Sequence, residues 1–248
     1  FLESRELLVI GGQVKSSDLA TNGLRQRGIQ EIDGAAIASP IAKVVRRIEK
    51  PILRGEFDDL VLVGSSGRKG PVFLEVCLDA QGAPASSADN DAVEVNRQSH
   101  IEGEIDEAAL DQLVTMLSKS SRPVLLIGGG LSRSNFSSLL PEIEKIGIPV
   151  MTTWNGADRI GSQSVVYFGR PNTWGQRSSN LILQSADLLI AVGTRLGIQQ
   201  TGFNWAEFVP NGDAVQIDID QKELDKGHPK ISLAICSDGH DLLKQLLK

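Results

Sequence analysis

Along the 248 residues, short runs of consecutive apolar side chains alternate with stretches in which apolar positions recur every three or four residues. The runs are too short for helices and too continuous for half-exposed strands, so they read as buried strands of parallel sheets in an α/β protein. In the first piece of the chain, Leu7 to Ile10 and Pro71 to Leu78 are the clearest strands, with LLVIGG read as a buried strand and its turn. Between them, Pro40 to Glu49 places Ile41, Val44, Val45 and Ile48 at helical spacings, which predicts an amphipathic helix. Arg46, Arg47 and Lys50 then fall on its solvated side. A second helix is expected over Glu56 to Val63. Two strands and two helices are a thin core for about 80 residues, so this piece reads as part of a domain.

From about Ile101 onward the alternation is regular. Helix Asp106–Lys119 leads to strand Val124–Ile127, helix Asn135–Ile146 to strand Pro149–Thr153, and helix Gln176–Gln184 to strand Leu188–Val192. A short helix near Trp205 precedes strand Ala214–Ile219, and strand Leu233–Cys236 precedes a terminal helix, Gly239–Lys248. About five strands with crossover helices predict a doubly wound, Rossmann-like parallel sheet, complete in itself. Between the pieces, Gln81 to Gln98 is rich in Ala, Ser, Asp and Asn and lacks periodicity, as a linker does. The expected division is 1–83, a linker over 84–102, and 103–248.

Composition narrows the function. A net charge of -6 argues against a nucleic-acid partner, and no apolar run reaches the roughly 18 residues of a membrane helix. The two cysteines, Cys77 and Cys236, lie in strand-like apolar runs and read as buried, reduced thiols of a cytoplasmic protein. Phe1 to Gln13 reads as the middle of an element already begun, and the sequence stops straight after a helix; a fragment is expected.

In an open parallel sheet, ligands bind beyond the carboxyl ends of the strands. Those ends read Gly128-Gly129-Gly130-Leu131, Thr152-Thr153-Trp154-Asn155, Gly193-Thr194-Arg195, Asp218-Ile219-Asp220 and Ser237-Asp238-Gly239. Glycines admit close backbone approach, and N–H groups of a strand–glycine–helix turn suit a phosphate. Arg195 offers paired donors to a phosphate or caps a neighbouring carboxylate. Asp218 either accepts from a ribose or ribityl diol or caps the helix beginning at QKEL. Together the five ends suggest a shared nucleotide crevice. The nicotinamide fingerprint is incomplete, because GGGLSR lacks the third glycine and no acidic residue follows about 20 positions on. An NAD(P)-dependent oxidoreductase is therefore the least supported reading. His100, His228 and His240 lie in linker or surface contexts with no nucleophile motif nearby, and there is neither GxSxG nor a P-loop lysine.

Arg122 to Lys248 resembles the central domain of thiamine-diphosphate-dependent enzymes, in the acetolactate synthase-like branch. The matching stretches are RPVLLIGGG, PVMTTWNG, YFGRPNTWGQRSSNLILQSADLLIAVGTRL and VQIDIDQKEL. The first piece is similar to the later half of that family's pyrimidine-binding domain, through GGQV (Gly11 to Val14), RGIQEID (Arg27 to Asp33), SPIAK (Ser39 to Lys43) and GRKGPVFLEVCLDAQG (Gly67 to Gly82).

The resemblance implies an enzyme acting on a 2-oxo acid with thiamine diphosphate and Mg2+, a homodimer or homotetramer when intact. It implies that the activating glutamate lies upstream of Phe1 and the GDG metal motif downstream of Lys248, so that the chain alone is inactive. It also implies FAD in the central domain, held by Arg68, Gly128, Gly129, Gly130, Leu131, Thr152, Thr153, Trp154, Gly193, Thr194, Arg195, Asp218, Ile219 and Asp238, with Gln30 bordering the thiamine site. The chain departs from the family at Gly197-Ile198-Gln199, where acetolactate synthases carry Asp-Asp-Arg. A non-catalytic module holding FAD or ADP is the alternative.

Overall fold

The structure, a computed structural model, describes residues 1–84 and 105–248. These form two compact units, one from each described stretch. Apart from Pro84, the linker expected over 84–102 lies outside the described residues, as does His100. Among the described residues no helix is long and apolar enough to cross a membrane.

The first unit runs β1 (Leu7–Gln13), α1 (Gly34–Ala38), β2 (Val44–Ile48), α2 (Arg54–Ser65), β3 (Pro71–Cys77) and α3 (Leu78–Gln81). Its sheet is parallel, in the order β1-β3-β2. The core gathers Ile48, Val72 and Leu74, with Phe57 and Leu60 of α2 packed against them.

Three expectations for this unit need correcting. The segment Pro40–Glu49 is no helix: one 3-10 turn, Ser39–Ile41, is followed by strand β2. Helical spacing of its apolar residues was accidental, because arginines hold one position on each face of the strand. Arg47 stands in register with Glu75 on β3 and donates from Nε to its carboxylate at 2.6 Å, while Arg46 pairs with Glu56 at 3.3 Å. The arginines are therefore not a solvated helix face. The LLVIGG segment is a strand, but it continues through both glycines to Gln13, and Leu7 and Ile10 are exposed. As the edge strand, β1 pairs only with β3.

The second unit runs α4 (Glu107–Lys119), β4 (Pro123–Ile127), α5 (Arg133–Ile146), β5 (Val150–Thr152), α6 (Arg177–Ser185), β6 (Leu188–Val192), α7 (Ile198–Thr201), β7 (Asp213–Asp218), α8 (Gln221–Leu224), β8 (Leu233–Cys236) and α9 (Gly239–Leu246). All five strands are parallel, ordered β5-β4-β6-β7-β8. The fold is the α/β doubly wound sheet expected from the sequence. Alternation of side chains explains its apolar runs. Leu125 and Ile127 enter one core with Leu113 of α4 and Phe136 and Ile143 of α5, while Val124 and Leu126 enter the opposite core with Leu183 of α6. Both faces of β4 and β6 are covered, and their positions are apolar throughout.

Helix starts follow side-chain caps. Asp106 accepts from the N–H groups of Ala108 and Ala109, Ser132 from Asn135, and Asp238 from His240 and Asp241. The α5 helix ends on Gly147 in the left-handed region, φ 76°. Cys77 is buried, but Cys236 is exposed, which corrects the expectation for that residue. It lies on edge strand β8, in the row opposite buried Ile235.

Candidate functional site

The carboxyl ends of β5, β4, β6 and β7 lie side by side, and close backbone packing holds them there. The N–H of Gly128 donates to the Val192 carbonyl and that of Gly130 to the Gly193 carbonyl, both at 2.9 Å. A Cβ on Gly128 would lie 2.1 Å from the Gly193 oxygen. Gly193 itself sits at φ +60°, and a Cβ there would lie 2.9 Å from Leu131 Cδ1. Two of the three glycine N–H groups are thus engaged within the fold, and the triplet's first role is to let two strand ends touch. Gly129 and Gly130 remain exposed.

Arg159, which local sequence pattern did not single out, holds this turn from beneath. It is 7 % exposed and donates from Nε to the Leu131 carbonyl at 2.5 Å and from Nη2 to the Gly129 carbonyl at 3.2 Å. Its charge is met by neighbouring Asp158. No periodicity distinguishes such an arginine from a solvated one; its position a few residues after a strand end is the only signal.

The other expected residues divide by what their side chains can reach. Leu131 is buried against the positions of Gly193 and Gly239 and belongs to the core. Thr152 is fully buried, its hydroxyl among the buried polar atoms without a partner. Thr153 is also buried, and its N–H donates to the Ile127 carbonyl at 3.0 Å. Thr194 is buried, and its carbonyl accepts from Gln216 Nε2 at 3.0 Å. Trp154 and Arg195 are exposed, and Lys226 donates to the Arg195 carbonyl. Asp218 is half-buried and accepts from the Asp220 N–H at 3.0 Å. It is Asp220, not Asp218, that caps α8, so the capping alternative for Asp218 is removed. Ile219 is half-buried. Asp238 has a structural duty as the α9 cap.

Two histidines are less solvated than the sequence suggests. His228 is half-buried with its ring 5.6 Å from that of Trp205. His240 is half-buried, and its Nδ1 is enclosed without a hydrogen-bond partner.

Arg68 and Gln30 belong to the first unit. Arg68 Nε reaches Ser4 Oγ at 3.4 Å. Gln30 is exposed and sits at φ +58°, a conformation a non-glycine residue holds only where its surroundings impose it. Those surroundings are its neighbours in RGIQEID. The Glu31 carboxylate accepts N–H bonds from Ala20 at 2.5 Å, Arg27 at 2.8 Å and Gly28 at 2.9 Å. Asp33 caps α1 and also receives Arg47 Nη2 at 2.7 Å. The three backbone bonds lower the Glu31 pKa below the ordinary value of 4.5, so their contribution is present above that value and is lost as pH falls through the lowered one. Glu31→Gln is expected to raise amide exchange at Ala20, Arg27 and Gly28 at neutral pH. Acidification below pH 4.5 should do the same in the wild-type chain only. Equal protection in both proteins at both pH values would refute this role.

These features define the class first: an open, parallel α/β sheet, a fold that takes its ligands beyond the carboxyl ends of the strands. Residues 110–246 match the family described as "Thiamine pyrophosphate enzyme, central domain". The chain belongs to the thiamine pyrophosphate enzyme family. Over 99% of its length it is 32% identical to the acetolactate synthase isozyme 1 large subunit of Escherichia coli K12, covering 42% of that protein. It is 28% identical to the acetolactate synthase large subunit of Corynebacterium glutamicum over 100% of the chain and 38% of the relative. It is 29% identical to acetolactate synthase 2, chloroplastic, of Nicotiana tabacum over 96% of the chain and 35% of the relative. The chain therefore spans about two-fifths of the length of these curated relatives.

Proposed function

We propose that the whole protein is a thiamine-diphosphate-dependent, acetolactate synthase-like carboligase or decarboxylase acting on a 2-oxo acid. In this reading it is a cytoplasmic homodimer or homotetramer, and the present chain supplies the later part of its pyrimidine-binding domain and its central domain. The observation that carries the reading is collinearity: the similarity to acetolactate synthase large subunits runs through both units, in order, over 99% of the chain. Thiamine diphosphate with Mg2+ supplies the carbanion chemistry when bound. Gln30, held in its left-handed conformation within RGIQEID, would border that site.

The second unit is the nucleotide holder, for FAD or ADP. Exposed Gly129 and Gly130 give a phosphate a surface without side chains, and exposed Arg195 supplies positive charge. Asp218, at the carboxyl end of β7, would accept from a sugar diol. Thr152 to Trp154 complete the set implied by the resemblance within this unit, with Asp238 acting through the cap it makes.

The chain alone, given thiamine diphosphate, Mg2+ and pyruvate, is expected to bind a nucleotide and consume no pyruvate; the protein encoded by the complete reading frame is expected to consume it. Purification with FAD should leave the chain yellow, with a visible absorption band. Absence of 2-oxo acid consumption by the complete protein would remove the enzymatic reading, leaving the non-catalytic module.

A further inference from the structure

At three places the chain joins asparagine directly to glycine: Asn22-Gly23, Asn155-Gly156 and Asn211-Gly212. That dipeptide carries its own reactivity. A glycine nitrogen has no side chain crowding it, so it can close on the amide carbon of the asparagine before it. The reaction needs a glycine N–H that can lose its proton, an asparagine amide that can swing, and a backbone between them that can rotate. A hydrogen bond or close packing at either residue withdraws that freedom until the segment opens. The three pairs share a sequence and differ in surroundings, so the fold decides between them.

Two of the pairs are held. Gly156 is buried in a 3-10 turn, Trp154–Gly156, and its N–H donates to the Thr153 carbonyl at 3.1 Å. A Cβ on Gly156 would lie 2.6 Å from the Ile127 oxygen, so this backbone cannot rotate without disturbing the end of β4. Asn211 donates from Nδ2 to the Gln184 carbonyl at 3.1 Å, and the Gly212 N–H donates to the Val209 carbonyl at 3.3 Å. A Cβ on Gly212 would meet the Asp187 backbone at 2.5 Å, so that pair too is packed against its unit.

Asn22-Gly23 is open. Both residues are exposed, at the centre of a turn closed by the Leu24 N–H donating to the Thr21 carbonyl at 3.1 Å. Their φ angles, +55° and +77°, both lie in the left-handed region, which suits asparagine and glycine to this turn. A Cβ on Gly23 would meet nothing within 4 Å. Among the described residues, neither the Asn22 amide nor the Gly23 N–H has a hydrogen-bond partner. Residues 21–27 are all exposed. The Glu31 carboxylate grips this loop at its ends, through the N–H groups of Ala20, Arg27 and Gly28, and leaves the tip to move.

We propose that Asn22 is a site of spontaneous modification in the folded chain, converting to aspartyl and isoaspartyl residues while Asn155 and Asn211 are spared. The deprotonated Gly23 nitrogen attacks Asn22 Cγ and a C–N bond forms. The bond from Cγ to Nδ2 breaks, and the side-chain nitrogen leaves as ammonia, taking up the proton that Gly23 gave up. Water then opens the resulting cyclic imide. Addition at the side-chain carbonyl gives aspartate, and addition at the backbone carbonyl gives isoaspartate. Either product places a carboxylate where the chain had a neutral amide, eight residues before Gln30. The isoaspartyl form also lengthens the backbone by one methylene, which the turn cannot absorb with its present geometry. None of this depends on the thiamine reading.

The test incubates the full chain in warm, mildly alkaline buffer and digests it with trypsin, which puts the pairs on separate peptides, 16–25, 146–159 and 196–222. Mass spectrometry is expected to show amide-to-acid conversion in peptide 16–25, as two products that elute apart. Its rate should exceed those of the other two peptides by about tenfold or more. In denaturant the three rates should fall within about threefold of one another, because local opening no longer separates them. Gly23→Ala, which sets a methyl group beside the attacking nitrogen, should abolish the conversion over the same incubation. Equal rates at the three pairs in the folded chain, faster conversion at Asn155 or Asn211, or none at Asn22 would overturn the proposal. An undiminished preference for Asn22 in denaturant would trace it to neighbouring sequence and overturn the part assigned to the fold.

Discussion

Gly128→Ala is expected to destabilise the second unit by about 3 kcal/mol, and to lower its thermal midpoint by roughly 10 °C, as measured by circular dichroism. The added Cβ would stand 2.1 Å from the Gly193 oxygen and 2.6 Å from both the Gly193 carbonyl carbon and Thr194 Cβ. None of these is the movable end of a long side chain. To make room, the ends of β4 and β6 must separate, which strains the 2.9 Å bonds from Gly128 to Val192 and from Gly130 to Gly193. Gly161→Ala is the control, since a Cβ there meets nothing within 4 Å and its φ is not in the left-handed region; it should be neutral. If Gly128→Ala unfolded with the stability of the control, the glycine turn would not be a packing element. The outcome bears on ligand binding too, because the same displacement would open the crevice between Gly130 and Arg195.

Arg47→Leu is expected to cost the first unit about 3 to 5 kcal/mol in chemical denaturation. Its partner, Glu75, has a side chain only 4% exposed, with Arg47 Nε at 2.6 Å and the Gly34 N–H at 3.2 Å as its donors. Without the guanidinium, a buried carboxylate keeps one weak backbone donor and no opposite charge. The double replacement Arg47→Leu with Glu75→Leu should recover most of the loss, since two apolar side chains facing each other across β2 and β3 need no partner charge. A single replacement as mild as the double one would show that the pair is already well solvated.

That pair also explains where sequence reading failed. In β4 and β6 every inward and outward position is apolar, and the strands were legible with boundaries accurate to a residue or two. In β2 Arg46 interrupts the row of Val44 and Ile48 and Arg47 the row of Val45, and the surviving apolar positions mimic a helix. A cross-strand ion pair is invisible until the partner strand is placed. The same limit applied at the crevice. The glycines, Arg195 and Asp218 were expected at strand ends, and the structure has them there. Arg159 reaches the glycine turn from a loop about 30 residues beyond it, and no local pattern announces such a contact. Asp220 took the cap offered to Asp218, because it is the residue directly before Gln221, where the helix starts. Cys236 misled for a related reason: an apolar run at a sheet edge has one uncovered row.

The placement of β4 between β5 and β6 has a consequence for synthesis. Its partner β5 follows 25 residues later in register, Leu125 beside Val150, but β6 arrives only after 65, Pro123 beside Leu188. At ribosomal rates of about 5 to 20 residues per second, the sheet's centre waits roughly 3 to 13 seconds for its second neighbour. Throughout that interval at least one backbone edge of β4 is unpaired, open to capture by another nascent chain. The emerging polypeptide is thus most vulnerable to aggregation between the completion of β5 and the delivery of Val192.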